Sequence, residues 1–147
     1  MTQMILSKMI LVPELIPRTS FFKNLRSMLS RKAWDEIRFK CYQDAGHCCE
    51  ICHVKPKKLD CHEIWEYDSE KGQQRLVGVV ALCSACHEVK HIGLAQMRGR
   101  AKDAMDHMMK VNNIDLETCC KLVDKAFEEW QIRNQQEWTL DVSWLEH

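Results

Sequence analysis

Cys49-Glu50-Ile51-Cys52 and Cys83-Ser84-Ala85-Cys86 are two Cys-x-x-Cys segments, and thirty residues separate them. Each segment can turn two sulfurs toward one metal ion, and zinc prefers four tetrahedral ligands, most often thiolates in structural sites. The sequence therefore predicts a structural Zn²⁺ held by Cys49, Cys52, Cys83 and Cys86. The alternative is that the four thiols are buried and reduced without a metal, which would leave their paired spacing a coincidence.

The residues between the two cysteine pairs predict a β-hairpin. Strands are expected over 59–67 and 75–82, joined by a turn at 68–73 that contains Gly72. A helix is expected to begin near Ser84. Outside this segment the apolar spacing predicts helices over 21–29, 31–45 with Ser30 as N-cap, 94–111, and 116–136 with Asp115 as N-cap. Methionines on the 94–111 helix should fill the core, and the tail from Trp138 to Trp144 should be an extended strap.

The 147-residue chain has globular composition, with 46% hydrophobic and 29% charged residues. We expect a single α+β domain made of an N-terminal extended segment and helix (1–46), a zinc-bound core (47–93), and C-terminal helices with an extended tail (94–147). No apolar run approaches the roughly 20 residues that cross a bilayer, so no membrane partner is expected. The chain has nine cysteines and no recognisable export signal. We therefore expect a cytoplasmic protein whose cysteines bind metal rather than form disulfides.

Charge is unevenly distributed along the chain, although the net charge is zero. Residues 18–60 contain ten Lys/Arg and five Asp/Glu, a balance of +5, whereas residues 103–147 contain four and ten, a balance of −6. A basic face could bind the phosphates of DNA, and the acidic C-terminal region could meet a protein partner. The expected phosphate contacts are Lys57, Lys58, Lys90, Arg98 and Arg100.

Two further motifs place histidines on the predicted hairpin and helix. Cys61-His62-Glu63 belongs to the first strand, and His87 and His91 are four residues apart, so a helix presents them on one face. The hairpin should bring His62 and Glu63 opposite this pair. Such a group could hold Mg²⁺, Mn²⁺ or a second Zn²⁺ and polarise a phosphodiester. The alternative is that these histidines only support the zinc site or serve as zinc ligands themselves, with His87 in place of Cys86.

Together, Cys49-x-x-Cys52, CHEIWEYD (61–68) and ALCSACHEVKH (81–91) resemble the zinc-containing branch of the HNH endonuclease family. The flanking IPRTSFFKNLRS and WTLDVSWL also resemble an uncharacterised bacterial group with this motif. The resemblance implies a ββα-metal core, in which a strand histidine activates water and helix residues bind one divalent cation. His87 and His91 match the helix ligands.

The resemblance leaves the register of the strand residues open. If His62 is the metal ligand, Glu63 falls at the position of the general base; if His62 is the base, Cys61 falls at the ligand position. The family's asparagine before the second cysteine pair has no counterpart in 76–82. This absence favours the alternative hypothesis, a non-catalytic zinc-knuckle module that binds nucleic acid or a protein. The pair His87 and His91 opposite the strand motif favours the leading hypothesis, a metal-dependent endonuclease acting on DNA.

Overall fold

The computed structural model describes residues 10–146 and has the α+β architecture that the sequence predicts. Short 3₁₀ helices occupy Arg18–Ser20 and Ser143–Glu146. The helices and strands are α1 (Leu25–Met28), α2 (Arg31–Asp44), β1 (Asp60–Asp68), β2 (Gln73–Leu82), α3 (Ser84–Lys90), α4 (Ile92–Met97), α5 (Ala101–Asn112), α6 (Leu116–Arg133) and β3 (Thr139–Asp141).

The two predicted strands form the central hairpin. β1 pairs antiparallel with β2, with His62 opposite Val80, and β3 adds to β2 in parallel, so β1 is an edge strand. Because consecutive strand residues point to opposite faces of a sheet, Asp60 and His62 share one face of β1, while Cys61 and Glu63 share the other.

The hydrophobic core lies on both faces of this hairpin. Val80 and Leu82 of β2 pack with residues of α3, α5 and α6 in the larger cluster. Val79 and Ala81, which alternate with them, pack in a smaller cluster with Cys41 of α2. The hairpin is therefore covered by α2 on one side and by α3 and the C-terminal helices on the other, which fixes the surroundings of each strand residue.

Helix starts agree with the sequence, but one helix is interrupted. The side chains of Ser30 and Asp115 accept hydrogen bonds from the amides of Ala33 and Thr118, which confirms both predicted N-caps. The single helix predicted over 94–111 is wrong, because the chain breaks between α4 and α5, where Gly99 has a φ of 71°. Left-handed backbone of this kind favours glycine.

The chain on either side of this break also differs from the predicted methionine stripe. Met108 is fully buried, but Met97, at the end of α4, is 85% exposed. The core-filling role therefore holds for Met108 and is wrong for Met97, which lies at the end of α4, before the break in the predicted helix.

The N-terminal segment and the tail both pack against the C-terminal helices. Leu11 is fully buried, and its backbone exchanges two hydrogen bonds with the side chain of Asn112. The indole of Trp130 donates to the carbonyl of Ile16. The predicted strap is only partly correct, since β3 ends at Asp141 and a 3₁₀ helix follows. Among the described helices, none is long and apolar enough to span a membrane.

Candidate metal centres and the adjoining cavity

The four motif cysteines converge. Their sulfurs all lie within 4.8 Å of one another, in a group made of Cys49, Cys52, Cys83 and Cys86. The sulfurs of Cys52 and Cys83 are 3.6 Å apart. Cys49 and Cys86 are fully buried and Cys83 is 6% exposed. All four are free thiols rather than disulfides. Four thiols at this spacing are a donor set that could bind zinc.

Local structure explains why the two cysteine turns meet. Glu50, inside the first turn, donates its amide to the carbonyl of Ala81 and accepts from the Ala81 amide through its carboxylate, at 2.9 and 2.7 Å. These two bonds join the first turn to the end of β2. Cys83 follows at once as the N-cap of α3, and its sulfur accepts from the Cys86 amide. The second turn is therefore the start of a helix.

The surroundings of the cysteines favour a thiolate at Cys49. Burial acts to raise the pKa of its thiol, but amide donors from Cys52, Cys83 and Ile51 outweigh burial and lower the pKa to about 7. Thiolates are the form that binds metal. By contrast, burial and the neighbouring sulfurs raise the pKa of the Cys86 thiol.

His107 is an unpredicted neighbour of the cysteine group. Its Nε2 lies 3.2 Å from the sulfur of Cys86, and the residue is half-buried on α5. If the sulfur binds a metal, an N–H donated by His107 would stabilise the thiolate. Its spacing to Cys86, 21 residues along the chain, gives no local pattern that could have revealed this contact.

The three motif histidines form a second group. Nitrogens of His62 on β1, His87 on α3 and His91 at the end of α3 lie within 4.8 Å of one another, and the ring centroids are 4.7 to 5.4 Å apart. His62 is 3% exposed. Burial and the two neighbouring rings lower the pKa of His91 to about 3. Neutral imidazoles are the form that binds a metal, so the donor set fits a divalent cation.

Carboxylates orient two of the three rings. Asp60 Oδ2 lies 3.2 Å from His87 Nδ1, and Glu14 Oε2 lies 2.9 Å from His62 Nε2. A carboxylate on one ring nitrogen leaves the other nitrogen with its lone pair free to bind a metal. Asp60 could have been found from strand alternation, because it lies two residues before His62. Glu14 is 48 residues away, and no sequence signal indicates it.

Glu14 also connects the N-terminal segment to α3. Its other carboxylate oxygen accepts from Lys90 Nζ at 2.7 Å, and its amide donates to the Lys90 carbonyl. Burial acts to raise the pKa of Glu14, but the hydrogen bond from His62 and the charge of Lys90 outweigh it and lower the pKa to about 2. Lys90 is only 6% exposed. The phosphate contact predicted for Lys90 is therefore wrong, because its buried ammonium is paired with Glu14.

The structure does not bring Glu63 or Cys61 into the histidine group. Both lie on the other face of β1, as strand alternation requires. The Glu63 carboxylate accepts a hydrogen bond from the amide of Leu25, at the start of α1, and burial raises its pKa. Cys61 packs in the smaller core cluster with Cys41. Neither open register of the sequence motif matches this geometry, in which His62 alone faces the helix histidines.

The remaining expected phosphate contacts are scattered. Arg100 is engaged by Glu88 at 2.6 Å and by Asp103. Lys57 and Arg98 are exposed and lie outside the large cavity described next, whereas Lys58 lines it. Of the five residues, Lys90 and Arg100 are therefore paired with carboxylates, and only Lys58 borders the cavity.

A cavity of about 940 Å³ adjoins the histidines. His62, His87 and His91 all line it, together with aromatic, aliphatic and basic side chains from the N-terminal segment, α1, α2, β1, α4 and α6. None of the four motif cysteines lines it. The structure gathers these aromatic rings from segments that are distant in sequence.

Comparisons of the chain with protein-family models, with curated proteins and with solved structures found no match. The resemblance to the HNH family therefore stays a prediction, and functional inference depends on the two residue groups and the cavity.

Proposed function

We propose that this protein is a metal-dependent endonuclease of HNH type that hydrolyses phosphodiester bonds in DNA. The observation that carries the proposal is the group of three imidazoles on β1 and α3, with ligand atoms within 4.8 Å of one another, at the edge of a large cavity. The order β1, β2, α3, with the second cysteine pair at the β2–α3 junction, agrees with the motif that the sequence resembles.

Each histidine has a defined role in this proposal. His62, His87 and His91 hold the cation, and three protein ligands leave a position open for substrate, as in catalytic metal sites. A divalent cation bound there would polarise the scissile phosphate, stabilise the leaving oxygen and lower the pKa of the attacking water. Glu14 and Asp60 each contact one ring nitrogen, of His62 and His87 respectively, which leaves the other nitrogen of each ring available to a cation.

The cysteine group has the supporting role. Zinc bound by Cys49, Cys52, Cys83 and Cys86 would join the first turn to the β2–α3 junction. Since α3 carries both Cys86 and the neighbouring His87, its fixation also sets His87 and His91 against His62. The proposed zinc therefore stabilises the geometry of the histidine site without contacting substrate.

A plasmid assay tests the proposal. Purified protein is incubated with supercoiled plasmid in Mg²⁺, Mn²⁺ or Ni²⁺, alongside His62→Ala, His87→Ala and the control His53→Ala, whose exposed side chain lies outside both groups. We expect nicking by the wild type and by His53→Ala, and its loss in the other two variants. Equal nicking by His87→Ala and the wild type would contradict the proposal.

The position of Glu63 favours a second candidate function. With its carboxylate turned to the Leu25 amide, the site lacks the acidic base that one register of the motif implied. A non-catalytic zinc-knuckle module that binds DNA would need no such base. Retained gel shift without nicking in any of the three metals would support this module. Docking of a protein on the acidic C-terminal region stays a prediction. If the protein neither binds nor cleaves DNA, that result would favour such a protein partner.

A further inference from the structure

Several large apolar side chains that line the cavity beside the histidines are exposed to solvent. Phe22 is 82% exposed, Phe21 is 51% exposed and Met97 is 85% exposed, and all three line it. Four of the ten large hydrophobic residues that are exposed in the described part of the chain belong to this one lining, the fourth being Leu94. A concentration of exposed apolar side chains at one cavity marks a binding surface rather than random surface composition.

The same lining is basic. It contains four cations, Arg18, Arg26, Arg38 and Lys58, and two carboxylates, Asp60 and Glu63. Four minus two leaves two positive charges. Both carboxylates are already engaged, by His87 and by the Leu25 amide. Arg18, Arg26 and Lys58 form no salt bridge with any carboxylate of residues 10–146. The ligand should therefore be anionic as well as partly apolar.

We infer that this cavity binds an unpaired stretch of DNA, with bases against the aromatic rings and phosphates against the arginines. Exposed rings combined with a basic groove are how proteins bind single strands, because every base has a face that can stack. Duplex DNA offers phosphates outside and keeps its bases stacked inside, so basic residues alone would suffice for it. The aromatic residues are therefore the discriminating feature.

Two positions illustrate how the lining could divide this work. Phe22 follows the 3₁₀ helix at Arg18–Ser20 and has its ring in an edge-to-face contact with Phe21, with centroids 5.2 Å apart. One face of Phe22 therefore has access to solvent and to a base. Arg26 is exposed on α1 and borders the same cavity. Because His62, His87 and His91 also line the cavity, a strand bound here would pass the proposed cation site.

The inference rests on the proposed function in taking DNA as the ligand, but binding can be measured apart from cleavage. Fluorescence anisotropy of a labelled oligonucleotide of about 12 nucleotides, within the range of single-strand sites, is compared with its duplex in buffer without added divalent cation. We expect the single strand to bind at least about tenfold more tightly, a difference of about 1.4 kcal/mol, and to quench the fluorescence of the tryptophans that line the cavity, Trp34, Trp65 and Trp130.

Two variants and their matched controls complete the experiment. Phe22→Ala should weaken single-strand binding about tenfold, whereas Leu116→Ala, exposed on α6 outside the cavity, should not. Arg26→Ala should lower the slope of affinity against salt by about 0.7, the value for one phosphate contact to a single strand. Arg31→Ala, whose side chain is 90% exposed outside the lining, should leave the slope unchanged.

The outcomes separate this inference from the proposed nuclease activity. Single-strand binding that Phe22→Ala weakens, without nicking in any metal, supports the inference and removes the catalytic proposal. Two results would overturn the inference and leave the nuclease proposal standing if nicking is observed. In the first, the wild type binds duplex more tightly than single strand; in the second, Phe22→Ala binds the single strand as tightly as the wild type does. Sedimentation that shows a dimer dissociated by Phe22→Ala would also overturn it, because a second copy of the chain would then cover the cavity.

Discussion

The ligand atoms are about equally close together in the cysteine group and in the histidine group, but the two groups differ in their access to the large cavity. In each, the ligand atoms lie within 4.8 Å of one another. Three of the four cysteines are buried and none lines the large cavity, whereas all three histidines line it. Structural metal sites use four protein ligands and are closed, whereas catalytic sites use three and keep a position open. The comparison therefore favours a supporting role for the cysteines and agrees with the catalytic role that we propose for the histidines.

The two groups are also connected. Cys86 and His87 are consecutive on α3, and consecutive residues of a helix point in different directions, about 100° apart. One helix therefore serves a closed group on one side and an open group on the other. Loss of the closed group should destroy both sites, while loss of the open group should leave the fold intact. The following predictions test this asymmetry, beginning with the largest effect.

The largest effect is expected for Cys86→Ser. Structural zinc contributes on the order of 10 kcal/mol in small domains, which is comparable to the whole net stability of a domain. We expect the variant to lose its zinc and to have no cooperative thermal transition. Cys120→Ser, which removes an exposed thiol, is the control and should melt like the wild type. A wild-type melting curve for Cys86→Ser would remove the structural zinc assignment.

His87→Ala should abolish the second metal site and preserve the first. Removing one of three ligands should weaken binding of Mn²⁺ or Ni²⁺ by more than the roughly 100-fold that loss of a second-shell partner can cost. Metal analysis should still find one zinc per chain, and the melting curve should be close to that of the wild type. Titration calorimetry on the zinc-loaded protein measures the loss. Unfolding of this variant would contradict the separation of the two groups.

Asp60→Asn should have an intermediate effect. The amide cannot hold the His87 imidazole as the carboxylate does, so affinity for the second cation and the rate of plasmid nicking should fall about 10- to 100-fold. Asp124→Asn, at an exposed position on α6, is the matched control. Zinc content should be unchanged in both. If Asp60→Asn keeps full cation affinity, the 3.2 Å contact with His87 does not position the ligand.

The smallest effect is expected for His107→Ala. The variant loses a hydrogen bond to the Cys86 sulfur, typically about 1 kcal/mol of net stability, and should melt about 3 °C lower. Its zinc content should remain one per chain. Loss of zinc on the scale of Cys86→Ser would show instead that His107 is a ligand, and the closed group would need a new description.

Local patterns in the sequence predicted most of the ligands. The Cys-x-x-Cys spacing predicted a turn and a helix start, and the spacing of His87 and His91 predicted one helix face; the structure brings these residues together. Strand alternation, applied strictly, would also have indicated Asp60 and separated Glu63 from His62. The error at Glu63 arose because two adjacent polar residues were expected to serve one site, whereas a strand turns them to opposite faces.

Other partners could not be predicted from local spacing. Glu14 and Lys90 are 76 residues apart, and His107 is 21 residues from Cys86. Their contacts depend on how the N-terminal segment and α5 pack against α3. The burial of Lys90 follows from the same packing, since a basic residue between two histidines looks equally suited to a surface contact when only the sequence is considered.

The sequence by itself determined the cysteine turns, the hairpin, the start of α3 and the histidine pair, because each depends on residues within a few positions of one another, where backbone geometry fixes the spacing. Only the tertiary structure decided which group is closed and which opens on the cavity, where Glu63 and Lys90 point, and which rings and arginines line that cavity. These features depend on packing between distant segments, and the periodicity of a single helix or strand carries no information about its neighbours.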